Sequence, residues 1–278
     1  MWDERGRKVS IDDLRPEAHG LLPLLHRRLV ELGRRPPTLE RLHGIRRRLW
    51  VQNELRVRST AAAIDTLSAG GVGTALTGGA GVLVGVLDRL DLRPVHDVDV
   101  VIGPDDAAAA ASLLGRSGWA PGSSWRDGYR FDVDAQRFTD ANDRSVVLRW
   151  STSPPYNDGV ARARSVATGT GALAVVEPAD LLVQTLLDGA RAMRAARVRW
   201  ASDALAILDR GVDWERVGAV VEARRAGPSV RAALARLDRL VPLAEPVPSL
   251  PGRRAWWARL LGADAAGPPT RLRAAVRR

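Results

Sequence analysis

Residues 72–103 read VGTALTGGAGVLVGVLDRLDLRPVHDVDVVIG, and this stretch decides the fold of the chain. Its first apolar run, 72–76, has the length of a short strand and ends in the tripeptide Thr-Gly-Gly at 77–79. Apolar residues then continue to 87 as a predicted helix, and 95–102 alternates like a second strand. The sequence therefore predicts a strand, a glycine turn, a helix and a second strand in succession.

The second predicted strand carries two acidic residues. Asp97 and Asp99 are two positions apart, so both side chains leave the same face of the strand. Paired carboxylates are typical ligands of hard cations such as Mg²⁺ or Mn²⁺, which bridge phosphate oxygens. Small residues such as Gly78 and Gly79 allow backbone N–H groups to approach a phosphate closely. If the two strands pair antiparallel, we expect a metal and nucleoside triphosphate (NTP) site at one edge of the sheet.

This core resembles the nucleotidyltransferase family within the DNA polymerase β-like superfamily, in particular the branch of uncharacterised nucleotidyltransferases. The resemblance rests on Leu76-Thr77-Gly78-Gly79-Ala80, on Arg93 and on Asp97-Val98-Asp99-Val100-Val101. Further segments outside the core resemble the same branch: AHGLLPLL at 18–25, EPADLL at 177–182, RWASD at 199–203 and DW at 213–214.

The resemblance implies an Mg²⁺-dependent transfer of a nucleoside monophosphate from an NTP to a hydroxyl or phosphate acceptor. The acceptor would be a small molecule or a peptide. Asp97 and Asp99 would be the catalytic residues and the metal ligands. The residues that would bind the triphosphate are Thr77, Gly78, Gly79 and Arg93.

Two departures from the family pattern bear on activity. Thr77 stands where the family usually has lysine, and Arg93 could supply a fork-shaped substitute for that charge. The third carboxylate of the superfamily normally lies on a later strand, and here its position is Val147, followed by Arg149 in place of a histidine.

Asp132 and Asp134, on the preceding predicted strand, are candidates to replace the missing carboxylate. If one of them faces the aspartate pair, it could serve as a metal ligand or general base. If neither does, the sequence favours a domain that binds nucleotide but transfers slowly or not at all.

The pattern over the whole chain predicts an α/β (α+β) fold, in which a nucleotidyltransferase-like mixed sheet is flanked by N- and C-terminal helical regions. We expect a helical region at 1–69, the core at 70–176 and a second helical region with a frayed tail at 177–278. Helices are predicted up to Gly70 with a break at Pro36-Pro37, at 104–115, at 178–196, 201–210, 214–225 and 229–241, and around Trp256-Trp257; further strands are predicted at 129–138, 145–150 and 167–176.

Composition narrows the possible partners. The chain has no cysteine, which excludes disulfides and thiolate metal sites and fits a cytoplasmic protein without a membrane span. The net charge is +10, but Lys8 is the only lysine and the arginines are spread over most segments. Nucleic acid is therefore a partner that the charge allows but does not favour.

Three functions remain open at this point. The first is a transferase that modifies a small molecule or peptide, and the second is a toxin-like transferase acting on RNA or protein. The third is a catalytically impaired protein that binds a nucleotide or a partner. Two side chains carry minor expectations: Asp203 should face the cleft or pair with a neighbouring arginine, and His96 should face the core from its strand.

Overall fold

The computed structural model describes residues 11–14, 16–127, 133–169, 171–192, 198–243 and 250. Asp132, the expected helix around Trp256-Trp257 and the arginine-rich end at 271–278 lie outside the described residues. The α-helices are α1 (Pro16–His19), α2 (Leu22–Glu31), α3 (Leu39–Ala69), α4 (Gly78–Val82), α5 (Ala107–Arg116), α6 (Pro178–Ala192), α7 (Arg199–Leu208), α8 (Trp214–Ala223) and α9 (Gly227–Leu240). The strands are β1 (Thr74–Leu76), β2 (Asp97–Ile102), β3 (Ala120–Asp127), β4 (Val133–Thr139), β5 (Ser145–Trp150), β6 (Arg164–Thr168) and β7 (Gly171–Val175).

All seven described strands form one mixed sheet in the order β3-β4-β5-β2-β1-β7-β6. The central pair β1 and β2 is antiparallel, whereas β2 pairs with β5 and β1 with β7 in parallel. The outer pairs β3–β4, β4–β5 and β6–β7 are antiparallel. This architecture confirms the mixed α/β fold that the sequence predicts.

One large apolar core joins the sheet to the helices. It includes Leu67 of α3, Val100 of β2, Leu148 of β5, Leu186 of α6 and Val220 of α8. The core therefore runs across the sheet and the C-terminal helices. A second, smaller cluster holds α2 against the start of α3 through Ile11, Leu22 and Leu42.

The N-terminal helical region contains one long helix. After the predicted break at Pro36-Pro37, α3 runs without interruption over 31 residues. Its central part is rich in Arg, Leu and Ala, which favour helix, and has no proline to break it. Thr38 and Gly70 occupy its N-cap and C-cap positions. Within the described ranges, no helix combines the length and apolar character needed to cross a bilayer.

The structure differs from the strand predictions in two places. The single strand expected at 167–176 is a hairpin, β6–β7, because the chain reverses just before Gly171, whose φ of +126° suits glycine. The sequence pattern also missed β3, which contains Pro121 and Gly122 and shows a register shift between Pro121 and Ser124. Residues of these types are depleted in strands, so they hide the pattern. The strand predicted at 145–150 is confirmed without change.

Candidate active site

The pairing of β1 with β2 joins the glycine turn to the acidic strand. Leu76 lies opposite Val100, and the backbone N–H of Thr77 donates a 3.0 Å hydrogen bond to the carbonyl of Asp99. The turn that follows β1 is thereby fixed beside the two aspartates. This is the arrangement that the sequence predicts from an antiparallel pair.

The Asp99 carboxylate lies where a side chain on Gly78 would point. Gly78 has φ of +53°, a left-handed conformation that favours glycine, and it begins α4. A Cβ atom placed on Gly78 would lie 2.7 Å from Oδ2 of Asp99. Because Gly78 has no side chain, the carboxylate of Asp99 can lie beside the backbone of the glycine turn.

Gln184 of α6 completes the turn, and sequence reasoning missed it. Its Oε1 accepts hydrogen bonds from the hydroxyl of Thr77 at 2.5 Å and from the N–H of Gly78 at 3.3 Å. The side chain is buried, and its Nε2 has no hydrogen-bond partner among the described residues. Because a buried donor without a partner is costly, this amide is suited to a polar ligand at the turn. Its one sequence signal was its place in the helix that begins with Pro178.

Arg93 lies against the second glycine of the turn. A Cβ on Gly79 would overlap Nη1 of Arg93, so the absence of a side chain leaves room for the guanidinium. Arg93 also forms a salt bridge with Asp203 of α7, at 2.9 Å, so of the two alternatives for Asp203 the structure shows the pairing with an arginine. Arg93 is therefore beside the turn, as a phosphate ligand would be, while Asp203 holds it in place.

The loop that carries Arg93 is fixed by α3. Asn53 is fully buried and donates hydrogen bonds to the carbonyls of Leu90 and Arg93, both at 2.7 Å. Its Oδ1 accepts from the N–H of Val95 at 3.3 Å. A single amide thus sets the path of the backbone into β2. The family-like segment at 18–25 also reaches this region, since Gly20 packs against the guanidinium of Arg199.

Each of the two aspartates is bonded to an arginine. Oδ2 of Asp97 accepts a 2.7 Å hydrogen bond from Nη2 of Arg137, and Oδ1 of Asp99 accepts a 2.7 Å hydrogen bond from Nε of Arg149. Burial lowers the pKa of Arg149, but Asp99, Tyr156 and Asp188 together outweigh that effect, and the pKa lies above its ordinary value. The guanidinium of Arg149 also lies 5.9 Å from the ring of Trp125, a cation–π distance.

The register of β2, β5 and β4 shows what replaces the third carboxylate. Asp99 lies beside Val147, and Val147 lies beside Arg137, so the three form one row on one face of the sheet. The buried Val147 therefore occupies the place next to Asp99 where the family pattern has an acid. Arg149 follows on the same face, in the next row.

Asp134 does not replace the missing acid. It pairs with Trp150, and along β4 it alternates with Ala135 and Arg137, so its side chain is on the opposite face from Asp99. The expectation that Asp134 compensates for Val147 is wrong. Side chains alternate between the two faces of the sheet along β4, and Asp134 is on the face away from Asp99.

His96 also differs from the prediction. It precedes β2 and is exposed, and it does not face the core. Desolvation lowers its pKa, and the positive charges of Arg199 and Arg56 lower it further.

The two carboxylates are a donor set that one hard cation could share with substrate phosphates. Asp97 and Asp99 are two carboxylates on one face, and Mg²⁺ is commonly held by one or two carboxylates together with substrate phosphates. Among the described residues, no group of three His, Cys, Asp or Glu side chains could hold a metal ion. A single Mg²⁺ arriving with its nucleotide is therefore compatible with this site.

Comparison with known structures gives similarities of low identity. An antigenic nucleotidyltransferase-like protein from Paracoccidioides brasiliensis is 15% identical, with 66% of this chain and 88% of that chain covered and a TM-score of 0.44. The antibiotic-resistance factor ANT(2″)-Ia is 14% identical, with 68% and 99% covered and a TM-score of 0.45. The lincosamide antibiotic adenylyltransferase LnuA is 11% identical, with 43% and 79% covered and a TM-score of 0.33.

Sequence comparison with curated proteins finds no match. The family described as uncharacterised nucleotidyltransferase, in contrast, matches residues 16–242, which is most of the chain and includes the glycine turn and both aspartates. The chain belongs to this family of uncharacterised nucleotidyltransferases.

Proposed function

We propose that the protein binds an NTP at the glycine turn and transfers its nucleoside monophosphate to a small-molecule or peptide acceptor. The observation that carries this proposal is the close approach of the Asp99 carboxylate to Gly78, in a turn built from small residues. Family membership supports the same chemistry. A phosphate group and a carboxylate-bound cation would meet at this point.

Each residue at the turn has a separate task in this proposal. Gly78 and Gly79 let the backbone approach the phosphates, and the buried Nε2 of Gln184 donates a hydrogen bond to a phosphate oxygen. Arg93, held by Asp203, offsets negative charge beside the turn.

Asp97 and Asp99 would hold one Mg²⁺. When bound, the ion would neutralise phosphate charge and favour displacement at the α-phosphorus.

A second candidate is a protein that binds nucleotide without efficient transfer. It is favoured by Val147 at the acid position and by the arginine bonded to each aspartate. Those arginines would compete with a cation for the carboxylate oxygens, so an ion would have to displace or share these contacts.

The two candidates are separated by measuring binding and turnover on the same protein. We would titrate each NTP by calorimetry with and without Mg²⁺, and follow pyrophosphate release with a panel of acceptors. The test variant is Asp97→Asn/Asp99→Asn, and the control is Asp105→Asn, an exposed aspartate just beyond β2.

Mg²⁺-dependent binding that only the double variant loses, together with pyrophosphate release, is the result we expect. Binding without release from any acceptor would support the second candidate. If the folded wild-type protein binds no NTP, both candidates fail.

A further inference from the structure

The sheet continues past the aspartates on the side away from the glycine turn. Here β5, β4 and β3 present Arg137, Val147, Arg149 and Trp125 on the same face as Asp99, and we call these four residues the acceptor-side surface. With the NTP at the glycine turn, as proposed above, an acceptor would approach the α-phosphate over this surface.

The acceptor-side surface carries two arginines, each bonded to one aspartate of the pair, and these guanidinium groups have hydrogen-bond donors to spare. Within the described part of the chain, Arg149 uses only Nε in a side-chain hydrogen bond, and a guanidinium carries five N–H donors. Nε of Arg137 is buried and has no hydrogen-bond partner among the described residues. The Trp125 ring beside the Arg149 guanidinium restrains its orientation and is itself partly exposed. Two oriented guanidinium groups of this kind suit a carboxylate or a phosphate.

The acceptor-side surface also lacks an acid at the place next to Asp99. A neutral hydroxyl must lose a proton as it attacks phosphorus, and a neighbouring carboxylate is a suitable base. Val147 is buried at that position and has no group that can take a proton. An acceptor that is already an anion needs no such base.

Resting on the proposed nucleotide transfer, we infer that the acceptor presents an oxyanion, either a carboxylate or a phosphate, to the NTP. One oxygen of the anion forms a new bond to the α-phosphorus, and the bond from that phosphorus to the bridging oxygen breaks. Pyrophosphate leaves with the bonding electron pair. The product is a mixed anhydride from a carboxylate or a phosphoanhydride from a phosphate, and no proton is removed from the nucleophile.

The test uses the full chain and small probes of matched shape. Binding of Mg²⁺ with α,β-methylene ATP is measured first by calorimetry. The loaded protein is then titrated with benzoate and phenyl phosphate, and with their neutral counterparts benzamide and benzyl alcohol. The variants are Arg137→Met and Arg149→Met, and the control is Arg116→Met on α5. Circular dichroism establishes that each variant is folded.

We expect at least one anion to bind at least tenfold more tightly than its neutral counterpart. Both arginine variants should remove this preference while Arg116→Met retains it. The anion that binds more tightly, benzoate or phenyl phosphate, shows whether the acceptor group is a carboxylate or a phosphate. Because the comparison of anion with neutral probe uses wild-type protein, it remains decisive even if a variant does not fold.

Two results would overturn the inference in different ways. If the nucleotide analogue binds but neither anion exceeds its neutral counterpart, the oxyanion acceptor is wrong and the nucleotide site stands. In that case the exposed Asp188, one turn after Gln184 on α6, becomes the candidate base for a hydroxyl acceptor. If the analogue does not bind, the proposed function itself fails and the inference falls with it.

Discussion

Nε of Arg149 donates a 2.7 Å hydrogen bond to Oδ1 of Asp99, across the parallel pair β5–β2. Both side chains are about one-fifth exposed, at 22% and 21%. The contact sets a positive charge where the family pattern has a histidine, next to a carboxylate that we assign to cation binding. Arg149 therefore acts on metal affinity and on acceptor binding in opposite directions.

Replacing Arg149 by methionine should strengthen Mg²⁺ binding in the presence of nucleotide. The variant removes a cation that competes for Asp99, and a part-exposed charge pair of this kind is worth up to about 1 kcal/mol, which predicts a gain of about twofold to fivefold. Mg²⁺ titration at fixed NTP, followed by calorimetry, measures the change. Weaker Mg²⁺ binding in a folded variant would mean that Arg149 supports the site instead of competing with the ion.

Replacing Gly78 by alanine should abolish nucleotide binding. The new Cβ would meet Oδ2 of Asp99 at 2.7 Å, and its positive φ adds strain of about 1 kcal/mol or more. Gly118→Ala is the matched control, because Gly118 has φ of +86° but nothing within 4 Å of its added Cβ. Thermal unfolding should show destabilisation of both variants, whereas calorimetry should show lost binding only for Gly78→Ala. Equal binding by the two variants would contradict the assignment of the turn.

Gln184→Glu tests the donor at the glycine turn. The variant keeps an oxygen for Gly78 but replaces the Nε2 donor with a negative charge. A hydrogen bond to a charged group contributes roughly 1.5–3 kcal/mol, so NTP affinity should fall by about tenfold or more. Thr185→Val, at the next buried position of α6, is the control and should bind as the wild type does. Unchanged affinity in Gln184→Glu would exclude Gln184 from the site.

Arg216 should be a major stabilising residue of the C-terminal region. It donates to the fully buried Asp180 at 2.8 Å and to Asp158 at 2.8 Å. Arg216→Met would leave Asp180 buried without its cation, and breaking such a pair costs about 3–5 kcal/mol. Arg162→Met removes the more exposed bridge to Glu177 and should cost less than about 1 kcal/mol. Urea unfolding measures the free energy of unfolding of both variants. A similar decrease for the two would show that burial of the ion pair does not determine its contribution to stability.

Stability should fall as the pH drops below about 6.5, the ordinary pKa of histidine. His26 is buried, and its Nδ1 lies 2.7 Å from Nη1 of Arg46, which requires a neutral ring that accepts. Burial, and then the charge of Arg46, lower the pKa of His26 below its ordinary value. The unfolded chain therefore binds the proton more readily, and acid favours unfolding. The free energy of unfolding, measured with urea between pH 7.5 and 5.5, should fall with decreasing pH in the wild type and fall less steeply in His26→Asn. An equally steep fall in both proteins would exclude His26 as the source of the pH dependence.

The central strand pair could be predicted from sequence because its signals are local. The glycines after β1 and the alternation around Asp97 and Asp99 are readable without tertiary information, and the register then brings them together. Gln184 could not be found in this way, because its role depends on a contact with a turn more than a hundred positions earlier. The same holds for Asn53, whose three hydrogen bonds reach a loop about forty positions later.

The sequence also could not predict which face of the sheet a side chain occupies relative to side chains on neighbouring strands. Asp134 has the right residue type and lies two strands from Asp99, yet its alternation directs it to the opposite face. No local pattern gives the pairing between β4, β5 and β2, and a change of one residue in register exchanges the faces. The arginines bonded to Asp97 and Asp99 were missed for the same reason.

A crystal of the protein grown with Mn²⁺ and a non-hydrolysable NTP analogue tests the central claim most directly. The account predicts one anomalous Mn²⁺ peak within bonding distance of both Asp97 and Asp99, with the phosphates over Gly78 and Gly79. Such a crystal in which the nucleotide lies elsewhere, or in which Mn²⁺ contacts neither aspartate, would contradict it.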